Sequence, residues 1–214
     1  MLYQTHARIH LANIRSNIEN IRKAVGSDTK ILIAVKADGY GHGALEVSKM
    51  AEKIGVDWLG VATVPEGIEL RQAGIKLPIL KFSPAFAEEM EEAVVNNLSL
   101  AACELENTRQ LNAVAAKLGK TAQVHLKIET GMGRIGVQIE EAIELADEIV
   151  KRCQNLMLGG AMTHLPVSDE EGKHFTQRQI ERFKRVVKEI EERLNFKFPL
   201  VHCANSGGVL SHPE

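Results

Sequence analysis

Lys36 follows a run of five apolar residues and precedes a glycine-rich segment, a setting that can turn a lysine into a nucleophile. The run Ile31–Val35 is typical of a strand buried on both faces, and α/β proteins build their active sites where such strands end. A partly desolvated amine loses its proton more readily and can form a Schiff base. An arbitrary lysine would more often point into water. Tight turns or close approach to a ligand are allowed by the glycines that follow, Gly39, Gly41 and Gly43.

The ten residues 34–43 carry a more specific signal than the lysine alone. They read Ala-Val-Lys-Ala-Asp-Gly-Tyr-Gly-His-Gly and resemble the pyridoxal-phosphate lysine motif of alanine racemases. The resemblance implies that Lys36 is the Schiff-base lysine for pyridoxal 5'-phosphate and one of two bases in the reaction. It also implies that Tyr40 lies beside the cofactor's phosphate. The alternative for Tyr40 is an aromatic residue that only covers the mouth of the site.

A second motif, residues 127–136, reads Lys-Ile-Glu-Thr-Gly-Met-Gly-Arg-Ile-Gly and resembles the other signature of that family. The resemblance implies that Arg134 engages the cofactor's phenolic oxygen and the substrate carboxylate, which suits a planar guanidinium. A solvated loop arginine is the plainer alternative. Lys127 alternates with apolar residues and is predicted to point into the barrel, where a cation must be paired or neutralised. Two explanations stay open: carbamylation, by resemblance, or an ion pair with Glu129.

Three further candidates follow the sixth and seventh predicted strands. His164 comes after Leu156–Thr163, and the resemblance implies that its ring packs on the cofactor's pyridine ring, although a lone histidine is more often an ordinary core or surface residue. Asn205 and Ser206 come after Leu200–Ala204. At this place barrel loops often bind phosphate through hydroxyl and backbone N–H groups. A plain helix cap is the alternative for either residue.

Apolar runs and helical repeats alternate along the whole chain. Seven predicted strands, separated by single helices, indicate a parallel sheet. Their strict succession without a linker favours a (β/α)8 barrel over an open doubly wound sheet. The sequence stops at Glu214, before an eighth predicted strand. We therefore expect residues 1–214 to form an α/β, TIM-type barrel domain that lacks its last strand and the family's C-terminal β domain.

The resemblance breaks at the second base. In the family that base is a tyrosine from the β domain of the partner subunit in a homodimer, whereas this sequence contains only Tyr3 and Tyr40. Residues 1–8 resemble an arm that pairs with the missing domain. The whole protein is then expected to be an alanine racemase that supplies D-alanine, a peptidoglycan precursor, and these residues alone are expected to be inactive. The alternatives are an inactive cofactor-binding fragment and a single-domain pyridoxal-phosphate homeostasis protein. For the racemase, the resemblance implies alanine as the substrate, and another small amino acid stays open.

The composition excludes other classes of function. Lys and Arg number 26 against 28 Asp and Glu, a net charge of −2, so the chain has no nucleic-acid or membrane-surface footprint. Three widely spaced cysteines without a Cys-x-x-Cys pair indicate a reducing compartment and no zinc site. The sequence shows no signal-peptide core and no stretch suited to span a bilayer. A cytoplasmic protein is therefore expected.

Overall fold

The computed structural model describes residues 5–212. Within them, seven strands form one parallel sheet in the order β1-β2-β3-β4-β5-β6-β7. The strands are β1 (Leu32–Ala34), β2 (Trp58–Val61), β3 (Ile79–Lys81), β4 (Leu98–Ala102), β5 (Ala122–Lys127), β6 (Leu156–Met162) and β7 (Val201–His202). The helices are α1 (Leu11–Val25), α2 (Lys36–Gly41), α3 (Ala44–Lys53), α4 (Val64–Gln72), α5 (Met90–Val95) after a 3₁₀ turn (Ala87–Glu89), α6 (Leu105–Lys117), α7 (Ala142–Lys151), α8 (His174–Leu194) and α9 (Ser206–Ser211).

The sequential parallel order confirms the predicted fold class, a curled partial barrel with helices packed outside it. Each strand is followed by at least one helix on the way to its neighbour, as a parallel ladder requires. All the active-site candidates that follow strands therefore lie at one end of the sheet, where the carboxyl ends of the strands meet.

Two apolar layers flank the sheet because side chains alternate along each strand. The larger layer lies between the strands and the helices and includes Leu59 and Ile79, which are fully buried. The smaller layer fills the inner, concave side and consists of Leu80, Ala101 and Met162, with Trp58 and Phe82 packed against them.

Gly60 shows how tightly the inner layer is packed. A Cβ atom at this position would lie 2.0 Å from the ring of Phe82 and 2.9 Å from a methyl group of Leu32. Such distances exclude a side chain without movement of the ring. The glycine therefore leaves the space beside β2 that the Phe82 ring occupies inside the curled sheet.

Strands β1 and β7 form the edges of the sheet, and each pairs with one neighbour only among the described residues. All three residues of β1 are only partly buried, so the prediction of a strand buried on both faces is wrong. Val201 of β7 is 48% exposed. Both edges are short, which limits the number of open backbone groups.

The amino-terminal arm is covered only in part. Residues 5–8 are exposed and belong to no helix or strand, while residues 1–4 lie outside the described part of the chain. The pairing expected for residues 1–8 therefore stays a prediction. In the described residues, no helix combines the length and the apolar character needed to cross a membrane.

Candidate active site

Lys36 lies two residues beyond the end of β1, at the start of α2, and Val35 separates the two elements. The four residues after it, Ala37–Tyr40, all have left-handed backbone angles, with φ between 50° and 60° and ψ between 37° and 52°. Three of the four carry a side chain, and such a conformation costs about 1–2 kcal/mol for each of them. A strained backbone of this kind persists only where surrounding contacts hold it, and it is typical of functional sites.

Backbone and side-chain contacts supply that support. The N–H of Gly39 donates to the carbonyl of Val35 at 2.8 Å, and the N–H of Gly43 donates to the carbonyl of Asp38 at 2.9 Å. The Asp38 carboxylate accepts from the N–H of Ala44 at 2.8 Å, which fixes the start of α3. The turn is therefore closed at both ends and returns the chain directly into the next helix.

Glu66 ties this turn to the end of β2. One of its carboxylate oxygens accepts from the N–H of Ala37 at 2.7 Å, and the other accepts from Ala62 and Thr63 at 2.8 and 3.0 Å. Glu66 also forms a capping box with Thr63 at the start of α4. Burial by itself would raise the pKa of this carboxyl, but the three N–H donors outweigh it and hold the pKa below its usual value. An ionised carboxylate thus fixes the backbone next to Lys36.

Tyr40 remains close to Lys36 at the mouth of the site. The Lys36 ammonium lies 5.7 Å from the centroid of the Tyr40 ring, within cation–π range. The ring itself is 60% exposed. Its hydroxyl group is therefore open to a ligand that enters beside the lysine.

Arg134 lies in a loop that Glu129 organises from within. The loop closes where Glu129 N–H donates to Val137 and Val137 N–H donates to Lys127, at 2.9 and 2.8 Å. The Glu129 carboxylate accepts from the N–H groups of Gly131 and Met132 at 2.5 Å and of Arg134 at 3.3 Å. Burial would raise the pKa of this carboxyl, and the backbone donors outweigh it, so the pKa is lowered. The loop therefore presents Arg134, an exposed side chain, in one defined backbone conformation.

The glycine that ends this motif is required by close packing. Gly136 has φ 150°, and a Cβ atom there would lie 2.7 Å from the backbone nitrogen of Glu129. Only glycine fits between the two ends of the closed loop, where Ile128 and Val137 form a single β-bridge. The close packing within this loop therefore explains why the sequence motif ends in glycine.

Lys127 points into the barrel as predicted and is only 6% exposed. Its ammonium donates to the carbonyl of Phe82 at 3.3 Å. Within residues 5–212, Lys127 and Glu129 form no ion pair, because the Glu129 carboxylate faces its own loop. Burial lowers the pKa of the Lys127 amine, and the positive charges of Arg134 and Lys36 act in the same direction. The carbamylation of Lys127 stays a prediction.

His164 faces the same cluster of cations. Burial lowers the pKa of its imidazole, and the charges of Arg134, Lys127 and Lys36 lower it further. The ring is therefore held neutral near neutral pH. These four side chains lie at or after the carboxyl ends of three strands, β1, β5 and β6, which are all at one end of the parallel sheet.

Asn205 acts as the N-cap of α9, the alternative considered from the sequence. Its side-chain oxygen accepts from the N–H of Gly208 at 2.9 Å and from the Ser168 hydroxyl at 2.6 Å. Its amide group donates to the carbonyl of Leu165, next to His164, at 2.8 Å. Ser206 is the exposed first residue of α9, where backbone N–H groups have no acceptor inside the helix. A cofactor role for Asn205 and Ser206 stays a prediction.

A histidine pair inside the barrel was not among the predicted site residues. Nδ1 of His125 and Nε2 of His202 lie 2.9 Å apart, so one of the two nitrogens carries the shared hydrogen. Burial lowers the pKa of His125 to about 3, with a further contribution from His202. Burial and the Lys127 charge lower the pKa of His202 to about 4. Both rings are therefore neutral and packed edge to face beneath the mouth.

Fold and site together define an α/β-barrel protein with a lysine-centred, positively charged site at the carboxyl ends of its strands. The family model described as "Alanine racemase, N-terminal domain" matches residues 9–214. The chain therefore belongs to the alanine racemase family.

Named relatives agree with this assignment. The alanine racemase of Cutibacterium acnes is 46% identical over 97% of this chain, and that of Treponema denticola is 45% identical over 98%. Among solved structures, the Clostridium difficile 630 alanine racemase in complex with cycloserine is 38% identical, with a TM-score of 0.95 over the whole chain. The Bacillus anthracis alanine racemase with bound L-Ala-P is 28% identical, with a TM-score of 0.87 over 94%.

The chain spans little more than half the length of these relatives. It covers 55% and 56% of the two relatives named by sequence, and 58% and 52% of the two solved structures. The match therefore concerns one part of a longer type of protein.

Proposed function

We propose that this chain forms the pyridoxal-phosphate-binding part of a racemase that interconverts L- and D-alanine. The observation that supports this most strongly is that Lys36, Lys127, Arg134 and His164 all lie at the end of the sheet where the carboxyl ends of the strands meet. The first three belong to the two motifs that resemble those of the family. The cofactor, the substrate and the homodimer are parts of the proposal.

The donor set fits pyridoxal phosphate. The Lys36 amine suits the cofactor's aldehyde, a neutral His164 ring suits stacking on a pyridine ring, and the surrounding cations suit a phosphate dianion and a carboxylate. The exposed Tyr40 hydroxyl and the start of α9 at Ser206 would hold the phosphate. When bound, pyridoxal phosphate supplies an electron sink that stabilises negative charge at the substrate's Cα.

Three residues of the chain would then bind the substrate, transfer its proton and orient the binding group. Arg134 would bind the substrate carboxylate and orient the Cα–H bond. The Lys36 amine would accept and return the Cα proton on one face. Lys127, held behind the mouth, would orient Arg134 if its buried charge is changed by carbamylation.

The proton donor on the opposite face must come from elsewhere. Tyr40 belongs to the same turn as Lys36 and stacks beside its amine, so it cannot approach the substrate from the other side. Tyr3, the other tyrosine of the sequence, lies outside the described residues. We propose that a tyrosine from a partner subunit supplies this group, which requires a homodimer.

An assay of alanine racemisation in deuterium oxide tests the proposal. We expect the full-length gene product, supplied with pyridoxal phosphate, to exchange the Cα proton and to produce both enantiomers. Lys36→Arg should abolish this exchange, whereas Lys53→Arg, at an exposed position of α3, should not change it. Residues 1–214 alone should show no turnover, because loss of even one acid–base group costs about 10²–10⁴ in rate.

Two results would count against the racemase. A full-length product that binds the cofactor but exchanges no amino-acid Cα proton would support the cofactor-binding module instead. Rapid racemisation by residues 1–214 alone would refute the requirement for a second base from outside them.

A further inference from the structure

A chain of buried hydroxyl and amide groups connects the two loops that carry Arg134 and His164. The Thr163 hydroxyl lies 2.9 Å from the carbonyl of Ile128 and 2.8 Å from the Thr130 hydroxyl. The Thr130 hydroxyl in turn lies 3.2 Å from the side-chain nitrogen of Gln179. The same nitrogen lies 3.2 Å from the carbonyl of His164.

Only one assignment of donors and acceptors is consistent with this series of hydrogen bonds. A carbonyl can only accept, so Thr163 must donate its single hydrogen to Ile128. Thr130 must then donate to Thr163, and its oxygen accepts from the amide group of Gln179. The second amide hydrogen of Gln179 goes to the carbonyl of His164, which also fixes the orientation of the amide. Gln179 is therefore the starting donor for both loops.

Gln179 is well placed for such a role, because it contacts the site only through the backbone carbonyl of His164 and through Thr130. It lies on α8, outside the sheet, and is 1% exposed. A Cβ atom at Gly131 would lie 3.7 Å from its amide nitrogen and 3.1 Å from the ring of Phe175, also on α8. The helix thus packs closely against the loop. The side-chain nitrogen of Gln179 has these partners, whereas its side-chain oxygen, also buried, has none among the described residues. Loss of the nitrogen's partners would leave a second buried polar atom unpaired, which is costly.

We propose that Gln179 is a positioning residue that fixes the Arg134 loop and the His164 turn relative to each other. Thr130 follows Glu129, which organises the Arg134 loop, and Thr163 immediately precedes His164. The hydrogen bonds of Gln179 therefore couple both loops to α8. The consequence for cofactor and substrate rests on the function proposed above, whereas the mechanical coupling of the two loops does not.

Hydrogen–deuterium exchange and cofactor titration on the chain test this coupling with four variants. Gln179→Met keeps the length of the side chain but donates no hydrogen bond. Thr130→Val keeps the shape of threonine without its hydroxyl, and Thr130→Ser restores the hydroxyl. Gln177→Met, at an exposed position of the same helix, is the matched control.

We expect Gln179→Met and Thr130→Val to raise exchange about 2- to 10-fold in peptides covering residues 129–136 and 163–166, as loss of one or two hydrogen bonds implies. The affinity for pyridoxal phosphate, followed by the absorbance of its lysine conjugate, should fall by a similar factor. Thr130→Ser and Gln177→Met should match the wild type in both measurements. Rescue by serine separates the hydrogen-bond chain from simple packing.

Several outcomes would overturn the proposal. Exchange in the two loops that is unchanged by Gln179→Met, or raised equally by Gln177→Met, would remove Gln179 from any positioning role. Equal effects of Thr130→Ser and Thr130→Val would show that packing, not the hydroxyl, holds the loops. If the wild-type chain bound no pyridoxal phosphate, the proposed function would fail, and the exchange measured without cofactor would still decide on the coupling.

Discussion

At the residue scale, two carboxylates fix the backbone around the site. Glu66 holds the turn after Lys36, and Glu129 holds the loop of Arg134, each by accepting several backbone N–H groups. Glu66 could be found in the sequence, because Thr63-Val-Pro-Glu66 matches the capping-box pattern before a helix. Its bond to Ala37, 29 residues earlier, could not.

Glu66→Gln should lower the free energy of unfolding by about 1–3 kcal/mol, because a carboxamide has one acceptor oxygen and turns its NH2 group toward a backbone N–H. Urea denaturation measures this change. Glu69→Gln, at an exposed position of the same helix, is the control and should stay within about 0.5 kcal/mol of the wild type. Equal effects of the two variants would show that the Glu66 carboxylate does not hold the turn.

The pair formed by His125, which is buried, and His202, which is partly buried, predicts a loss of stability in mild acid. Both pKa values in the folded chain, about 3 and about 4, lie below the ordinary 6.5. The unfolded chain therefore binds protons first as the pH falls, and stability that is complete above pH 6.5 declines toward pH 4. Each histidine should contribute a loss of about 2 kcal/mol by about pH 5.

Denaturation curves at several pH values, for the wild type and for His125→Gln, measure this contribution. The glutamine can keep a hydrogen bond to His202 but does not titrate. We expect the variant to lose about 2 kcal/mol less than the wild type between neutral pH and about pH 5. Parallel pH dependence of the two proteins would contradict the assignment of buried, neutral histidines.

At the element scale, the sequence predicts the order of strands and helices but not the backbone of the turn after β1. The alternation of apolar runs with helical repeats is a local signal, and it led to the correct parallel order. The left-handed turn is different, because Ala37, Asp38 and Tyr40 have no intrinsic preference for positive φ. Only the contacts with Val35, Glu66 and Ala44 select that conformation, and those contacts depend on the tertiary fold.

The same limit applies to α8. Its apolar repeat, which includes Phe183, Val187 and Ile190, is typical of a long packed helix, and α8 spans His174–Leu194. A glutamine within that repeat gives no signal of its partners. Gln179 meets Thr130 and His164 only because β5, β6 and α8 pack together.

A glycine substitution tests the left-handed turn. Ala37→Gly should relieve part of the conformational cost of about 1–2 kcal/mol at this position, less the entropy that glycine gains in the unfolded chain. Ala113→Gly, at an exposed position inside the right-handed helix α6, should instead destabilise the chain by about 1 kcal/mol. The change in melting temperature relative to the wild type should therefore differ in sign, or clearly in size, between the two variants. A loss at Ala37 equal to that at Ala113 would mean that Ala37 is not left-handed in solution.

At the scale of the whole molecule, the sheet of residues 5–212 curls without closing. Strands β1 and β7 each leave one side unpaired within these residues, and unpaired edges invite association with other strands. Partly exposed apolar side chains flank both edges, among them Ile33 and Val201. This openness agrees with a chain that spans about half the length of its relatives.

We therefore expect residues 1–214 alone to self-associate at raised concentration and to be less stable than a full-length relative. Sedimentation velocity over a range of concentrations measures the association, and thermal melts compare the stabilities. Purely monomeric behaviour at high concentration, together with a cooperative melt at high temperature, would show that the partial sheet protects its own edges.

Lys36 is the residue that we propose to hold pyridoxal phosphate. Borohydride reduction of the chain mixed with pyridoxal phosphate, followed by peptide mass analysis, tests it most directly. We predict one phosphopyridoxyl group on the peptide that contains Lys36, and its loss in Lys36→Arg. A label spread over surface lysines, or no label at all, would contradict the account.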